Sequence, residues 1–386
     1  MMETFLGYER PDGSVGIRNY VAVIPSVACA NGVVAAIARA VPEAVPLYHA
    51  HGCGRGVEAM MHANVLANLG KHPNVAAVLV VGLGCEVIKA ENLAVAIGAS
   101  KKPVEYFNIQ DAGGTKKSTA RGIGILNRML ADAALLERRS FPMDRIIMGL
   151  QCGGSDAFSG VTANPSVGLV SDWLVDQGGT VILTEDTEMI GTSHILERRA
   201  CNPDVARKIA KVIADAEQLT HDLLGPLAPF VISPGNMDGG MTSIREKSLG
   251  CIVKAGSRPI NEVIGYGEIP TRKGVVLLDG PGYDMESMTG VAATGSQLMI
   301  FTTGRGNPIG YPIVPVLKVA STSKMYEQMA DDMDINAGVI LDGAQMQEVG
   351  QLIIDMVKRV LDGEQTKAEL NQQEGIVCIY TLHPAF

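Results

Sequence analysis

Apolar strands and helical segments alternate through the first part of the chain, and this pattern restricts the fold more than any other feature. The run VAAVLVVGLGC is an almost unbroken series of Val, Ala and Leu, as expected for a parallel strand buried on both faces. Helical patterns precede it in AMMHANVLANLGKH and follow later in TARGIGILNRMLADAAL. Such alternation predicts an α/β fold of parallel sheets with flanking helices, in which ligands bind at the carboxyl ends of the strands.

The length of 386 residues exceeds that of a usual single domain and favours two or three domains. Together with the parallel-sheet pattern, we expect two Rossmann-like domains. The polar stretch ERRSFPMD is the predicted boundary, giving an N-terminal α/β domain over 1–140 and a C-terminal α/β domain over 141–386. RIIMGLQC and KGVVLLDG each open a strand–turn–helix unit, which indicates a weak internal repeat in the second domain. The segment ISPGNMDGGMTSIREKSLGC lacks periodicity, and long irregular segments of this kind are often functional.

Charge and cysteine usage limit the class of protein. A net charge of −9 leaves no basic excess for binding nucleic acid. No apolar run approaches the roughly 20 residues that cross a bilayer, and the N-terminus has charged residues where a signal peptide has its apolar core. We therefore expect a cytoplasmic protein without membrane contact. Its seven cysteines are then packing residues, nucleophiles or metal ligands.

Three cysteines share one local plan. Cys53, Cys85 and Cys152 each follow a predicted strand and precede glycine or glutamate. If these strands are neighbours, the three thiols converge with Glu86 at one end of a sheet and hold a soft metal such as iron or zinc. A cysteine at a strand end is also a common packing residue, and no CxxC or HxxxH spacing is present. The repeated context favours a site.

Other chemically active groups lie near predicted strand ends. His49 and His51 alternate along an extended segment, so we expect them to point to opposite faces and only one to enter a site. Glu185 is a candidate base or metal ligand, or else a solvated carboxylate. Lys247 is a candidate acid–base group, or a helix-surface lysine. Arg305, between two glycines, suits bidentate binding of a carboxylate, although a surface turn has the same pattern.

Several familiar motifs are absent from the sequence. GLGCE lacks the third glycine and the helix opening of a dinucleotide fingerprint, which counts against an oxidoreductase. No GxSxG elbow supports a serine hydrolase. DDMDIN lacks the glycine and terminal glutamate of an EF-hand loop.

Long ordered motifs point instead to a known family. From Gly7 to about Lys367 the chain resembles the large, catalytic part of the altronate/galactarate dehydratase family. The resemblance also extends to the large subunit of sulfolactate sulfo-lyase. The motifs that carry it are GYERPDGSVGIRNYVAVIP, HGCG, VVGLGCE, IQDAGGTKKS, LQCGGSDAFSGVTANP, EKSLG, DGPGYD, TTGRGNP and DMDINAG.

The resemblance implies a metal-dependent lyase that eliminates a group from a hydroxy carboxylic acid to give a 2-keto acid. Dehydration of a sugar acid such as altronate or galactarate is the first expectation. The alternatives are release of sulfite and pyruvate from (2R)-3-sulfolactate, and a non-catalytic sugar-acid-binding subunit. The implied metal is Fe²⁺, with Mn²⁺ or Zn²⁺ as alternatives. Many members carry a small SAF-type domain before this region, so we expect a separate small subunit and a homo-oligomer of the large one.

The roles of individual residues are hypotheses built on this reaction, since the resemblance supplies only their membership of the motifs. A base removes the proton beside the substrate carboxylate, cationic groups stabilise the enediolate, and the leaving group departs from the next carbon. The expected metal ligands are Cys53, Cys85, Glu86 and Cys152, and the expected catalytic groups are His49, Lys247 and Glu185. The expected substrate-binding residues are Arg305, Ser155, Asp156, Thr162, Asn164 and Gln110.

Overall fold

A computed structural model describes residues 3–383, apart from the side chains of 229 and 230. Its strands form two parallel sheets and one small antiparallel sheet, which confirms the predicted α/β class. The strands are β1 (Thr4–Glu9), β2 (Val15–Gly16), β3 (Tyr20–Pro25), β4 (Ala44–Pro46), β5 (Val75–Gly82), β6 (Val104–Asn108), β7 (Arg139–Pro142), β8 (Ile147–Cys152), β9 (Thr180–Leu183), β10 (Ile260–Ile264), β11 (Gly274–Leu278), β12 (Leu298–Thr303), β13 (Val316–Ala320) and β14 (Ile335–Asn336).

The first parallel sheet has four strands in the order β4-β3-β5-β6, and the second has seven in the order β10-β11-β9-β8-β12-β13-β14. In the second sheet β8 lies between β9 and β12, with Gly149 opposite Ile182 and Cys152 opposite Thr302. The carboxyl ends of these three strands therefore meet at one edge, where the sequence pattern predicts ligand binding.

The helices cover both faces of both sheets. They are α1 (Asn31–Ala40), α2 (Ala59–Lys71), α3 (Ala90–Gly98), α4 (Thr115–Ala133), α5 (Ala163–Asp176), α6 (Ser193–Leu196), α7 (Pro203–Leu224), α8 (Pro234–Asp238), α9 (Ile244–Cys251), α10 (Asp284–Ala293), α11 (Ser323–Gln328), α12 (Met346–Leu361) and α13 (Lys367–Leu370). No helix within residues 3–383 is long and apolar enough to cross a membrane.

Side-chain alternation along the strands divides the interior into three main cores. Val23 and Leu79 of the four-stranded sheet pack on α1 and α4. The other face of the four-stranded sheet packs in a second core with α2, α3, α10 and one face of the seven-stranded sheet. Ile182 of β9 belongs to this second core. Leu183, next in the chain, belongs to the third core with α5, α7 and α12. Successive residues at the end of β9 therefore point to opposite sides of the sheet.

The predicted boundary ERRSFPMD contains β7. This strand pairs antiparallel with β1, with Phe5 opposite Phe141, and β1 also pairs with β2. The Arg138 guanidinium donates to the main-chain oxygens of Leu6 and Ile17. The segment between the two parallel sheets is therefore tied to the start of the chain.

Two further differences concern the second half of the chain. Strands β10, β13 and β14 occur where no strand was predicted from the sequence. The segment predicted to be irregular contains two short helices, α8 and α9, and Ser243 caps α9 by accepting a hydrogen bond from the Glu246 N–H. Helix α9 brings Lys247 and Cys251 toward the carboxyl end of β8.

Candidate active site

A cluster of buried ionisable side chains lies at the carboxyl end of β8. The Cys152 thiol donates to Glu188 Oε2 at 2.6 Å, and its Sγ lies 3.4 Å from Cys251 Sγ. Within residues 3–383, these three are the one group of His, Cys, Asp or Glu side chains whose ligand atoms all lie within 4.8 Å of one another. Two sulfur atoms and a carboxylate are donors that suit iron or zinc.

Local backbone geometry places the acidic members of the cluster. Glu185 follows β9 with φ +76°, a left-handed conformation that is costly for a residue with a Cβ. Its Oε2 accepts a hydrogen bond from the Cys152 main-chain N–H at 3.1 Å. The 3₁₀ turn Asp186–Met189 then brings Glu188 to the same thiol. Backbone strain at Glu185 is therefore concentrated where two carboxylates converge.

Two lysines neutralise these carboxylates. Lys254 Nζ donates to Glu185 Oε2 at 2.6 Å and lies 3.2 Å from Cys152 Sγ. Lys247 Nζ lies 2.5 Å from Glu188 Oε1. Lys254 and Glu185 are both fully buried, at 1% and 0% exposure. Because water is excluded, each charge depends on its partner rather than on solvent.

Burial and neighbouring charges shift the protonation of the cluster. Burial alone would raise the pKa of Glu188, but the charges of Lys247 and Lys254 outweigh it and lower that pKa to about 2. Burial raises the pKa of Glu185 well above its usual value, and Cys152 and Glu188 add to the rise. Contact with Cys251, followed by burial, raises the pKa of the Cys152 thiol.

A second set of polar groups holds Glu185 in place. Gln151 Nε2 donates to Glu185 Oε1 at 2.7 Å and lies 3.3 Å from Asp284 Oδ1. Asn307 donates to the other oxygen of Asp284 at 3.1 Å. Burial and then the charge of Glu188 raise the pKa of Asp284 to about 6. A Cβ at Gly153 would lie 2.5 Å from Asp284 Oδ2 and 2.7 Å from Phe301 Cζ, so a larger residue would displace these two side chains.

The donor set is consistent with a metal ion. With both carboxylates ionised and both thiols protonated, Glu185 and Glu188 balance Lys247 and Lys254, and the cluster is neutral. With both thiols deprotonated, four negative groups face two positive ones, and a divalent cation restores neutrality. The residues that would hold it are Cys152, Glu188 and Cys251. The charge of Lys254, 3.2 Å from Cys152 Sγ, opposes the rise in the pKa of the Cys152 thiol.

Of the predicted metal ligands, only Cys152 lies in this cluster. Cys53, Cys85 and Glu86 belong to loops of the four-stranded sheet, whereas β8 has β9 and β12 as neighbours. The expected meeting of three strand-end cysteines required adjacent strands, and the structure does not place them so. Glu86 accepts hydrogen bonds at 2.6 Å from the Ser26 hydroxyl and the Gly84 N–H, which tie its own loop together.

His49 and His51 also lie on the four-stranded side. His49 Nε2 is 2.6 Å from Pro25 O, and its Nδ1 accepts the His51 N–H at 3.1 Å. The two rings stack with centroids 6.0 Å apart. The prediction that they point to opposite faces is wrong, because residues two apart in an extended segment share a face. Burial lowers the pKa of His49 to about 4, so its neutral ring anchors this loop.

Predicted acid-binding residues after Cys152 are mostly buried and hydrogen-bonded within the protein. Asp156 accepts from the hydroxyls of Ser159 and Ser321 at 2.8 Å. Thr162 Oγ1 lies 2.8 Å from Ser321 O. Asn164 Nδ2 donates to Gly250 O at 2.8 Å. These contacts connect the turn to the segments that follow β13 and end α9.

Ser155, Arg305 and Gln110 differ from that group. The Ser155 hydroxyl is buried without a hydrogen-bond partner in the described structure. The Arg305 side chain is exposed and makes no ion pair among residues 3–383, while its N–H donates to Gly154 O at 2.7 Å. Arg305 is therefore next to the Cys152 turn and free to bind an anion. Gln110 Nε2 lies 3.9 Å from Cys85 Sγ, on the four-stranded side.

Glu188, Cys251 and Lys254 were not predicted from the sequence as members of the site. A signal for two of them was present, because Lys247, Cys251 and Lys254 follow the i, i+4, i+7 spacing of one helical face. Glu188 stands three residues after Glu185, but nothing in the sequence shows that a left-handed residue folds both toward one thiol.

A surface cavity of about 730 Å³ is large enough to be an alternative binding site to the cluster. Its lining includes Ala77, Pro103, Met129 and Arg139, near the amino ends of β5 and β6. Ligands of parallel sheets bind at the opposite, carboxyl ends. The concentration of buried charge at the end of β8 therefore makes the cluster the better candidate.

Comparisons with known proteins agree with this architecture. The family model of the second domain of D-galactarate dehydratase/altronate hydrolase matches residues 7–134, and that of the C-terminal D-galactarate/altronate dehydratase domain matches 143–383. The altronate dehydratase of Bacillus subtilis is 37% identical, with 95% of this chain and 76% of the relative covered. The galactarate dehydratase (L-threo-forming) of Escherichia coli is 35% identical, with 97% and 75% covered.

A further relative has a different printed activity. The (2R)-sulfolactate sulfo-lyase subunit beta of Chromohalobacter salexigens is 33% identical, with 95% of this chain and 94% of the relative covered. Both halves of the chain match family models, and the relatives align along nearly all of it. The chain belongs to the galactarate/altronate dehydratase family.

Proposed function

We propose that this chain is the catalytic chain of a lyase that removes water from a sugar acid, such as altronate or galactarate, to give a 2-keto acid. The observation that carries the proposal is the buried cluster of two thiols, two carboxylates and two lysines at the carboxyl end of β8. The dehydratase relatives support the reaction and the substrate class.

The arrangement suggests a division of tasks. Glu185 and Lys254, joined at 2.6 Å, form a proton-handling pair in which the lysine holds or releases a proton according to the charge beside it. Lys247 and Glu188 supply a second pair. Arg305, exposed and unpaired beside Gly154, binds the substrate carboxylate.

We further propose that Cys152, Glu188 and Cys251 hold Fe²⁺. A divalent metal supplies Lewis-acid stabilisation of the negative charge that develops when the proton beside the carboxylate is removed. The protein contributes the sulfur-rich donor set and excludes water, since Cys152 and Cys251 are 1% and 2% exposed. Mn²⁺ and Zn²⁺ are the alternatives to test.

Release of sulfite from 3-sulfolactate is the second candidate. It is supported by the sulfo-lyase relative, 94% of which aligns with this chain. That relative is named a subunit, which supports a second chain as partner; we propose a small SAF-type subunit and a homo-oligomeric large chain. Both reactions begin with removal of the proton beside a carboxylate, so the same cluster serves either.

The discriminating experiment supplies one substrate at a time. The purified chain, alone and with a candidate small subunit, is loaded anaerobically with Fe²⁺ and incubated with altronate, galactarate or 3-sulfolactate. We expect 2-keto acid from a sugar acid. Sulfite from 3-sulfolactate alone would select the second candidate. Bound metal and substrate without any keto acid, even with the small subunit, would reject the lyase proposal.

A further inference from the structure

A buried lysine of the seven-stranded sheet lies outside the cluster at the end of β8. Lys318 is on β13, opposite Phe301 of β12, and is completely buried, at 0% exposure. Its ammonium donates to the main-chain oxygens of Asn307, at 2.9 Å, and of Ile309. The centroid of the Phe301 ring lies 4.4 Å from Nζ, which adds a cation–π contact. Both hydrogen-bond acceptors belong to the loop that follows β12.

This loop, residues 304–309, carries Arg305 and is anchored on two sides; we call it the Arg305 loop. At its start, two N–H groups of the loop donate to Gly154 O at 3.0 and 2.7 Å. At its end, the two main-chain oxygens described above converge on the Lys318 ammonium. Without that ammonium both oxygens lose their donor, and the loop gains nothing from keeping them together. The form of the loop therefore depends on Lys318.

The loop is also hydrogen-bonded to the buried cluster. Asn307 Nδ2 donates to Asp284 Oδ2 at 3.1 Å, and Asp284 Oδ1 lies 3.3 Å from Gln151 Nε2. The same amide of Gln151 donates to Glu185 at 2.7 Å. A continuous series of contacts therefore runs from Lys318 through the loop to Glu185.

We propose that Lys318 is a positioning residue, which acts through Asn307 to hold Arg305 in place for the substrate carboxylate. This role rests on the proposed function, because it takes Arg305 as the group that binds the acid. The distance between the bound carboxylate and the proton-handling pair of Glu185 then depends on the loop. Lys318 itself is buried and does not touch the substrate, so it affects binding only through Arg305.

A double-mutant cycle with Arg305 tests this role in the full chain. Lys318→Met keeps the length of the side chain and removes the ammonium. We expect it to raise KM for the sugar acid at least about fivefold, with kcat changed less than about twofold. In the Arg305→Gln background the same substitution should raise KM by less than about twofold, because the group that it positions is gone. Assays at about pH 6 keep Lys318 charged in the unmodified chain, since burial lowers its pKa to about 7.

Lys102→Met is the matched control. The Lys102 ammonium is also buried and also donates to two main-chain oxygens, those of Lys71 and His72 beside the four-stranded sheet. Its removal should leave KM unchanged, which separates positioning of the Arg305 loop from a general effect of deleting a buried lysine.

Hydrogen exchange observes the loop without any turnover. We expect the amides of residues 304–309 to exchange at least about tenfold faster in Lys318→Met than in the unmodified chain, and at an unchanged rate in Lys102→Met. Asn307→Ala removes the donor to Asp284 while Lys318 remains, so it supplies the same two measurements if Lys318→Met does not fold. Circular dichroism establishes which variants are folded.

Unchanged exchange of the loop in the folded variant overturns the proposal, as does a rise in KM that is equal with and without Arg305. If the unmodified chain binds the acid but releases no keto acid, the lyase function is rejected, and the cycle is measured as Kd by calorimetry. Coupled losses of affinity then still support the positioning role, and additive losses overturn it.

Discussion

Replacing Lys254 with methionine tests whether the buried cluster is electrostatically coupled. The substitution keeps the length of the side chain but removes the ammonium that lies 2.6 Å from Glu185 and 3.6 Å from Glu188. Both carboxylates are almost completely buried, at 0% and 3% exposure. Removing one partner of a buried ion pair typically costs about 3–5 kcal/mol, because the other charge is left without solvent or partner. We expect a loss of that size in the free energy of unfolding.

The double variant Lys254→Met/Glu185→Gln isolates the pair itself. Because an amide at position 185 carries no charge, removal of Lys254 then leaves Glu188 as the remaining carboxylate, and Glu188 keeps its ion pair with Lys247. We expect the double variant to be more stable than Lys254→Met alone, with a coupling energy of about 3 kcal/mol. Urea denaturation with a chelator and a thiol reductant present gives all four free energies without a contribution from bound metal.

Lys102→Met is the matched control. Lys102 is also buried, at 4% exposure, but its ammonium donates to the main-chain oxygens of Lys71 and His72 at 2.5 and 2.6 Å rather than to a carboxylate. Removing this ammonium leaves no carboxylate without a partner, so we expect the free energy of unfolding to fall by only about 1–2 kcal/mol. Electrostatic coupling in the cluster is refuted if the losses at Lys254 and Glu185 add within about 0.5 kcal/mol, or if Lys254→Met costs no more than Lys102→Met.

Four further results are expected. Cys152→Ser should lower the iron retained after anaerobic loading about tenfold, whereas the control Cys201→Ser, which changes an exposed thiol, should not. Equal iron content in the two variants would remove Cys152 from the ligand set. Arg305→Gln should raise KM for the acid about tenfold without altering the melting temperature, because its side chain is exposed; an unchanged KM would assign carboxylate binding elsewhere. Asn202→Ala should lower the free energy of unfolding by about 1 kcal/mol, because the Asn202 side chain caps α7 by accepting from the N–H groups of residues 204 and 205. An unchanged free energy of unfolding in urea would contradict this role of the cap. Burial lowers the pKa of Lys102 from 10.5 to about 7, so between these pH values the unfolded chain binds more protons and the free energy of unfolding rises with pH. Lys102→Met should reduce the slope of the free energy of unfolding against pH by up to about 1.4 kcal/mol per pH unit, and an unchanged slope would refute the pKa shift.

The order of strands explains why part of the site escaped sequence analysis. Cys53, Cys85 and Cys152 have the same local pattern, yet β8 is in a different sheet from the strands before the other two. Local sequence determines where a strand ends, but the neighbours of that strand depend on contacts distant along the chain. Similarity of local pattern therefore says nothing about whether two strand ends meet.

The backbone conformation of Glu185 is a second feature that local sequence does not predict. The pattern TVILTED places it at the end of a buried strand, as found. Its φ of +76° is held by contacts from Gln151 and Lys254, which are 34 and 69 residues away in the chain. No local preference favours that conformation for glutamate, so it follows from tertiary packing alone.

The α/β class, the parallel strands, most helices and the family could be predicted from the sequence, because each depends on short-range periodicity or on ordered motifs. It also indicated Cys152, Glu185 and Lys247 as candidate catalytic or metal-binding residues. Their place in one buried cluster with Glu188, Cys251 and Lys254 depends on long-range packing, as does the position of His49 in a loop of the other sheet. The physical reason is that a buried charge needs a partner, and the fold brings that partner from a distant part of the chain.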